Sequence, residues 1–131
     1  TEGFDSGGCY NNTGSTVTLN GISTPSYSFA PNVAGKYVLF GSLLLGAAQQ
    51  NDGREGALRF FKNGSGLNYI ESTGNYTSYS FKKFRITSEI IVDANGTSDY
   101  FHITGRVVFN TNGQIQSGDE ASYFGAYKLI E

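Results

Sequence analysis

Apolar and polar positions alternate along most of the chain with period two. The clearest case is Phe29-Ala30-Pro31-Asn32-Val33-Ala34-Gly35-Lys36-Tyr37-Val38-Leu39-Phe40-Gly41-Ser42-Leu43-Leu44-Leu45. It opens on a turn at Pro31-Asn32 and continues as a strand. Period two places Tyr37, Leu39, Leu43 and Leu45 on one face and Val38, Phe40 and Leu44 on the other. Both faces are apolar, whereas an antiparallel strand needs only one apolar face to build a core. The second face is therefore expected to meet another sheet, a covering loop or another copy of the protein.

The flanking segments carry similar patterns. Phe4 to Tyr10 predicts a short first strand and Asn11 to Gly14 a turn. Thr16 to Leu19 ends at Asn20-Gly21, a strong hairpin signal, and its expected partner is Ser26 to Phe29, entered through Pro25. Asn51 to Gly56 is a polar loop, Ala57 to Lys62 a strand, Asn63 to Gly66 a turn and Leu67 to Glu71 a strand. Ser72 to Asn75 turns again before Tyr76 to Phe81. Next, Phe84, Ile86, Ile90 and Val92 share an apolar face, opposite a solvated face of Lys83, Arg85, Thr87 and Glu89. Asp93 to Asp99 is a connection. Beyond it Phe101, Ile103, Val107 and Phe109 alternate with Tyr100, His102, Thr104 and Arg106. Asn110 to Glu120 is mostly polar, with turn signals at Asn112-Gly113 and Gly118-Asp119. Tyr123 to Ile130 closes the chain as a strand with apolar residues on both faces. About nine or ten short strands, with turns roughly every 8–12 residues, predict an all-β antiparallel sandwich or jelly roll. The whole of residues 1–131 is expected to be one domain.

Composition supports that reading and narrows the chemistry. There are 18 Gly, 2 Pro, 10 Phe and 9 Tyr, with no Trp and no Met. Turn formers, aromatics and β-branched residues together favour β structure. Net charge is −2, from 9 basic and 11 acidic residues, and no basic cluster exceeds Lys82-Lys83. A nucleic-acid partner would need a basic patch, so none is expected. No apolar run is long enough to cross a bilayer, and membrane insertion is not expected either. Cys9 is the only cysteine, which excludes an intrachain disulfide. It is expected to be a small buried residue near the first strand, with a reactive thiol or an intermolecular link as the alternatives. A chain without Met is expected to be processed or, preferably, the carboxyl-terminal part of something longer.

Candidate chemistry is thin. A Cys9–His102 pair can be written, as can a Ser–His–Asp set that uses Asp99, but no nucleophile elbow accompanies either. His102 falls on the polar face of its strand and reads as a surface or interface histidine. The acids lie mostly at turns (Asp52, Glu55, Asp93, Asp99, Asp119, Glu120), where turn chemistry explains them, so no catalysis is expected. Asp93, Asn95 and Asp99 offer oxygen ligands, yet Gly96 is misplaced for an EF-hand, and Asn95-Gly96 alone accounts for a turn. No cofactor is expected, with calcium at Asp93, Asn95 and Asp99 as the alternative. N-x-S/T triplets begin at Asn11, Asn63, Asn75 and Asn95. Tyr69, Tyr76, Tyr79 and Tyr100 suit recognition, although cross-strand aromatic pairing that stabilises the sheet is the better reading for most of them.

Phe29, Val33-Ala34-Gly35 and Tyr37 together resemble the F-x-x-x-V-A-G-x-Y signature of C1q-like jelly-roll domains. Leu58-Arg59-Phe60-Phe61-Lys62-Asn63-Gly64 is similar to that family's strand ending in K-N-G. Tyr123-Phe124-Gly125-Ala126-Tyr127-Lys128-Leu129-Ile130 resembles its closing strand. The pieces occur in the family's order. The chain departs from the pattern at Pro31 and Ala126 and in an insertion-like stretch from Ser15 to Thr24. Its ending looks most like the C1q-like heads of bacteriophage virion proteins. The resemblance implies an antiparallel jelly-roll sandwich of the ten-strand class, C1q/TNF-like, assembled as a homotrimer with Val38, Phe40, Leu44, Tyr127 and Leu129 at the interface near the threefold axis. It implies a non-enzymatic structural or adhesion protein of a virion, either fibre head or capsid decoration, in an extracellular setting. Its partners would be itself, other virion proteins, and a host-surface glycan or protein. Asn51, Asp52, Arg54, Asn75 and Tyr76 would be the receptor-contact loops. Some heads of the family carry calcium, which would fall at Asp93, Asn95 and Asp99, or at Asp119 and Glu120. The alternative is a monomeric carbohydrate-binding module with a row of exposed aromatics on one flat face. An enzymatic tailspike domain is a third, disfavoured reading.

Overall fold

In the computed structural model, residues 8–47, 53–73, 83–109, 113–115 and 122–129 are described. They form β1 (Val17–Leu19), β2 (Ile22–Thr24), β3 (Gly35–Ala47), β4 (Gly53–Lys62), β5 (Ser65–Thr73), β6 (Lys83–Ala94), β7 (Phe101–Phe109), β8 (Gly113–Ile115) and β9 (Tyr123–Lys128), with no helix among them. All pairings are antiparallel. One sheet runs β5-β4-β7. It is extended by isolated bridges from Phe101 to Phe29 and from Phe29 to Tyr10. The other sheet centres on β3, which pairs with β6 along one edge and with β9 and then β8 along the other. The arrangement is that of a β-sandwich.

Two Asn-Gly pairs set the tight hairpins. Asn20-Gly21 (φ 50° and 81°) joins β1 to β2, and Asn63-Gly64 (φ 50° and 80°) joins β4 to β5. Positive φ at both central residues gives the twist that flanking strands share, and Asn-Gly adopts it at least cost. A two-residue loop leaves no slack, so Leu19 faces Ile22 and the partner strand is Ile22–Thr24. This corrects the expected partner Ser26–Phe29, which is used elsewhere: Phe29 exchanges backbone hydrogen bonds of 2.8 Å with Phe101. β4 begins at Gly53, inside the expected polar loop, because Gly53 and Glu55 still pair with β7. The polar stretch after Phe109 contains β8, whose pairing with Leu45–Ala47 prolongs the edge begun by β9. The expected strand Tyr76–Phe81 lies outside the described residues, as do Phe4–Gly7 of the first.

The core lies between the sheets. Tyr37, Leu39, Leu43, Leu45, Ile86 and Val92 come from one side and Leu58, Phe60 and Phe101 from the other, all buried. Each such side chain contributes about 1.5–3 kcal/mol on burial. Cys9 and Phe29 join the same cluster at one end, in keeping with the buried cysteine inferred from sequence. At that end Lys62 ties the sheets together. Its Nζ donates to the Asp93 carbonyl at the end of β6 (2.7 Å), pairs with Asp99 Oδ2 (2.8 Å) and sits 5.7 Å from the Phe101 ring centre.

Candidate functional site

The outer face of the β3 sheet is where the second apolar face of the sequence emerges. Residues opposite one another across antiparallel strands point the same way. The registers therefore give the face rung by rung: Leu44 beside Arg85, Ser42 between Thr87 and Tyr123, Phe40 between Glu89 and Gly125, Val38 between Ile91 and Tyr127, and Lys36 beside Asp93. Phe40 lies across Gly125, where any Cβ would collide with its ring. The ring stands between Tyr123 (6.3 Å between centroids) and Tyr127 (6.2 Å). Tyr123 remains 47% exposed, Tyr127 54% and Ile91 65%. Val38 is buried, and its flanking partners on the rung are Tyr127 and Ile91. Phe40, Leu44 and Leu129 are half-buried.

The polar part of the face is tightly bonded. Ser42 is fully buried. Its Oγ accepts from Arg85 Nη1 at 2.8 Å and shares a 3.0 Å hydrogen bond with Thr87 Oγ1. Ser122 Oγ accepts the Leu44 N–H at 3.0 Å, filling the gap in the ladder between β9 and β8. Lys36 and Asp93 close the far end with an exposed ion pair of 2.8 Å. Of the five interface residues named from sequence, all but Leu129 appear on these rungs. Leu129 follows β9, its N–H bonded to the Lys36 carbonyl at 2.9 Å. Ile91 and Tyr123 were missed. The unbroken run Ile90-Ile91-Val92 was the signal for the first, since one of three consecutive apolar residues in a strand must face outward.

The oxygen-rich connection behaves differently. The Asp93 carboxylate pairs with Lys36, away from Asp99. Asp99 is buried, bound by Lys62 (2.8 Å), Asn63 Nδ2 (2.8 Å) and the Asn95 N–H (2.9 Å). Burial alone would raise its pKa. The hydrogen bonds from Lys62, Asn63 and the Asn95 N–H, with the Lys62 charge, outweigh that and hold it below the usual carboxylate range. Asn95 Oδ1 accepts the N–H groups of Thr97, Ser98 and Asp99 at 3.0–3.1 Å. A calcium ion at Asp93, Asn95 and Asp99 would have to displace Lys62 and open this turn. Among the described residues, no three His, Cys, Asp or Glu side chains gather as a metal site. Asp119 and Glu120 lie outside the described residues.

The outer face of the β4 sheet carries a file of flat groups. His102 stacks on Phe61 (4.9 Å, 8°) and on Tyr100 (6.4 Å, 15°), and the Arg59 guanidinium lies 5.1 Å from the Phe61 centre. Burial lowers the His102 pKa. Its Nδ1 is buried without a hydrogen-bond partner, so among the described residues no carboxylate orients the ring as a catalytic base would require. Cys9 lies in the core end near Asn32 Oδ1, 3.8 Å from its Sγ. The triplet asparagines Asn11, Asn63 and Asn95 all spend their amides on the chain itself. Asn51, Asp52, Asn75, Tyr76 and Tyr79 lie outside the described residues, as do the side chains of Arg54 and Tyr69. Tyr100 is half-buried in the stacked file.

Comparison with family models, with curated proteins and with solved structures returns no match. Among the described residues no helix is long and apolar enough to cross a membrane.

Proposed function

We propose that this chain is a non-enzymatic structural and adhesion domain, a jelly roll that assembles as a homotrimer through the outer face of β6, β3 and β9. One observation carries the reading: Ile91, Tyr123 and Tyr127 stay about half exposed or more around Phe40, on a face where Ser42, Thr87 and Arg85 are bonded to one another and the Glu89 carboxylate stays exposed at the β6 side. Strands about 4.8 Å apart and alternate rungs about 6.8 Å apart give the seven apolar positions of these rungs roughly 200–250 Å², a contiguous apolar patch. A stable interface needs about 800 Å² per partner, so the patch would be its apolar centre, with the rim supplied by neighbouring loops. In a ring each protomer offers this face to its neighbours, and weak surface contacts gain avidity from the copies presented together. The virion setting, as fibre head or capsid decoration, rests on the motif resemblance. A Gly-X-Y or heptad stalk upstream would place the domain on a fibre.

The test is the mass in solution by light scattering. The parent is expected at three times the chain mass, and Phe40→Glu and Tyr127→Glu at the monomer mass, because each buries an unpaired charge in the contact. Tyr127 is exposed enough in the protomer that its variant should still fold, as far-UV circular dichroism would show. A parent that is monomeric, or a Tyr127→Glu protein that stays trimeric, defeats the proposal. The row Tyr123–Phe40–Tyr127 also favours a second reading, a monomeric carbohydrate-binding module. That reading predicts a monomeric parent whose retention by polysaccharide is lost in Tyr127→Glu.

A further inference from the structure

Three non-glycine residues among those described have positive φ: Asn20, Asn63 and Tyr27 (54°). Asparagine tolerates this region, and the first two sit in hairpin turns that demand it. Tyr27 does not fit that pattern. It occupies a turn position that glycine or asparagine would fill with less strain. Its side chain gains little burial in return, for it is 67% exposed. Its hydroxyl lies over Gly14, 3.6 Å from where a Cβ would stand.

The turn beneath is held rigidly. Asn11 is buried, and its amide nitrogen reaches the carbonyls of Ser15 (2.8 Å), Thr24 (3.0 Å) and Pro25 (2.8 Å). Its Oδ1 accepts from the Thr13 N–H (2.9 Å) and Oγ1 (2.7 Å). One side chain thus locks the 11–15 loop to the turn that displays Tyr27. Exposed Asn12, Thr13, Ser15 and Thr16 lie on that loop. No charged residue occurs between Asp5 and Lys36. An exposed aromatic ring reaching over a loop of neutral hydroxyls and amides matches one ligand chemistry. The ring face packs on the C–H face of a pyranose, and the surrounding groups bond hydroxyls without a charge to select acidic sugars.

We infer that Tyr27 and the 11–16 loop form a binding site for an uncharged glycan. The inference deepens the adhesive reading above and rests on it, but it moves the contact away from the loops at 51–54 and 75–76.

The full chain is run in native gels containing dextran, mannan or galactan, and in gels containing alginate or polygalacturonate. Retardation by at least one neutral polymer, and by neither uronate, is expected. Tyr27→Asn should weaken it at least about tenfold, as loss of a stacked aromatic does, while Tm stays within about 3 °C of the parent because asparagine suits the backbone. Tyr27→Phe keeps the ring face and should bind within about threefold. No retardation in any neutral gel, retardation by uronates alone, or equal retardation of Tyr27→Asn overturns the site. So does binding to a target surface that protease abolishes and periodate spares. Mass is measured on the same samples. Trimeric protein without Tyr27-dependent retardation refutes this site alone, and monomeric protein with it refutes the assembly alone.

Discussion

Replacing Asp99 by Asn tests whether the Lys62 contact holds the two sheets together at one end. The variant keeps shape and volume but leaves the Lys62 ammonium facing a neutral amide. Asp99 is buried and accepts three hydrogen bonds, from Lys62, Asn63 and the Asn95 N–H. Removing one partner of a fully buried ion pair costs about 3–5 kcal/mol. The Lys62 side chain is still 31% exposed and can turn partly to water. The amide also retains some of the hydrogen bonds, so about 2–3 kcal/mol is expected. For a domain of this size that lowers Tm by roughly 10 °C. Thermal unfolding followed by circular dichroism at pH 7 measures it. Lys62→Met and the double variant complete a cycle, in which the double variant should lose little more than either single one. A Tm within about 2 °C of the parent, or strictly additive losses, would refute the clamp. The pH dependence has a defined sign. The folded pKa of Asp99 lies below its ordinary value, so the unfolded chain takes up the proton first. The stabilisation is complete above the unfolded carboxylate value and fades as pH falls through the folded one. The gap between parent and Asp99→Asn should therefore be constant near neutrality and close below about pH 4.

Gly125→Ala should cost about 1–2 kcal/mol, since its Cβ collides with the Phe40 ring and the ring must swing off the sheet. In a Phe40→Ala background the same change should cost almost nothing, which paired melting curves would reveal. Asn11→Ala removes the amide donor that the Ser15, Thr24 and Pro25 carbonyls share and frees the 11–15 loop. It should lower stability by about 2–3 kcal/mol in denaturant titration, and an unchanged midpoint would remove Asn11 as the loop's anchor.

Period-two patterning was enough to place the strands that build the core. Tyr37, Leu39, Leu43 and Leu45 face inward as the alternation requires, and Asn20-Gly21 and Asn63-Gly64 turn where predicted. The hairpin partner of β1 was missed because the apolar Phe29 outweighed the loop-length constraint. Yet Ile22 and Thr24, buried two residues apart just after the turn, carried the answer. Asn11 was illegible for a different reason. An asparagine in Asn11-Asn12-Thr13-Gly14 looks like surface turn chemistry, and only the chain path shows three distant carbonyls converging on its amide. Ile91 was assigned to neither face, because the polar residues alternating on its side of β6 implied water there. The exposure of a single apolar residue among polar ones is a tertiary fact, set by Val38 and Tyr127 across the sheet.

The two outer faces show why a partner is expected on one and not the other. On the β4 sheet, His102 and Phe61 stack nearly parallel, with Tyr100 beyond His102 and the Arg59 guanidinium against Phe61. Those rings cover one another's faces, so their apolar area is largely withdrawn from water by the chain itself. On the β3 sheet the rings are tilted at 61° and 43°, because Gly125 lets Phe40 lie flat between two edge tyrosines. Tyr123 and Tyr127 stay about half exposed there, on the same face as Ile91. Apolar area left in this state costs about 25 cal/mol per Å², so covering even half of a ~230 Å² patch returns about 3 kcal/mol per protomer before the entropy of association. That sum is too small to hold an isolated pair firmly, but the closed ring proposed above would repeat it at every contact. Three large apolar groups stay exposed there beside the bonded Ser42, Thr87 and Arg85, and these exposed groups are what the proposed assembly would take out of water.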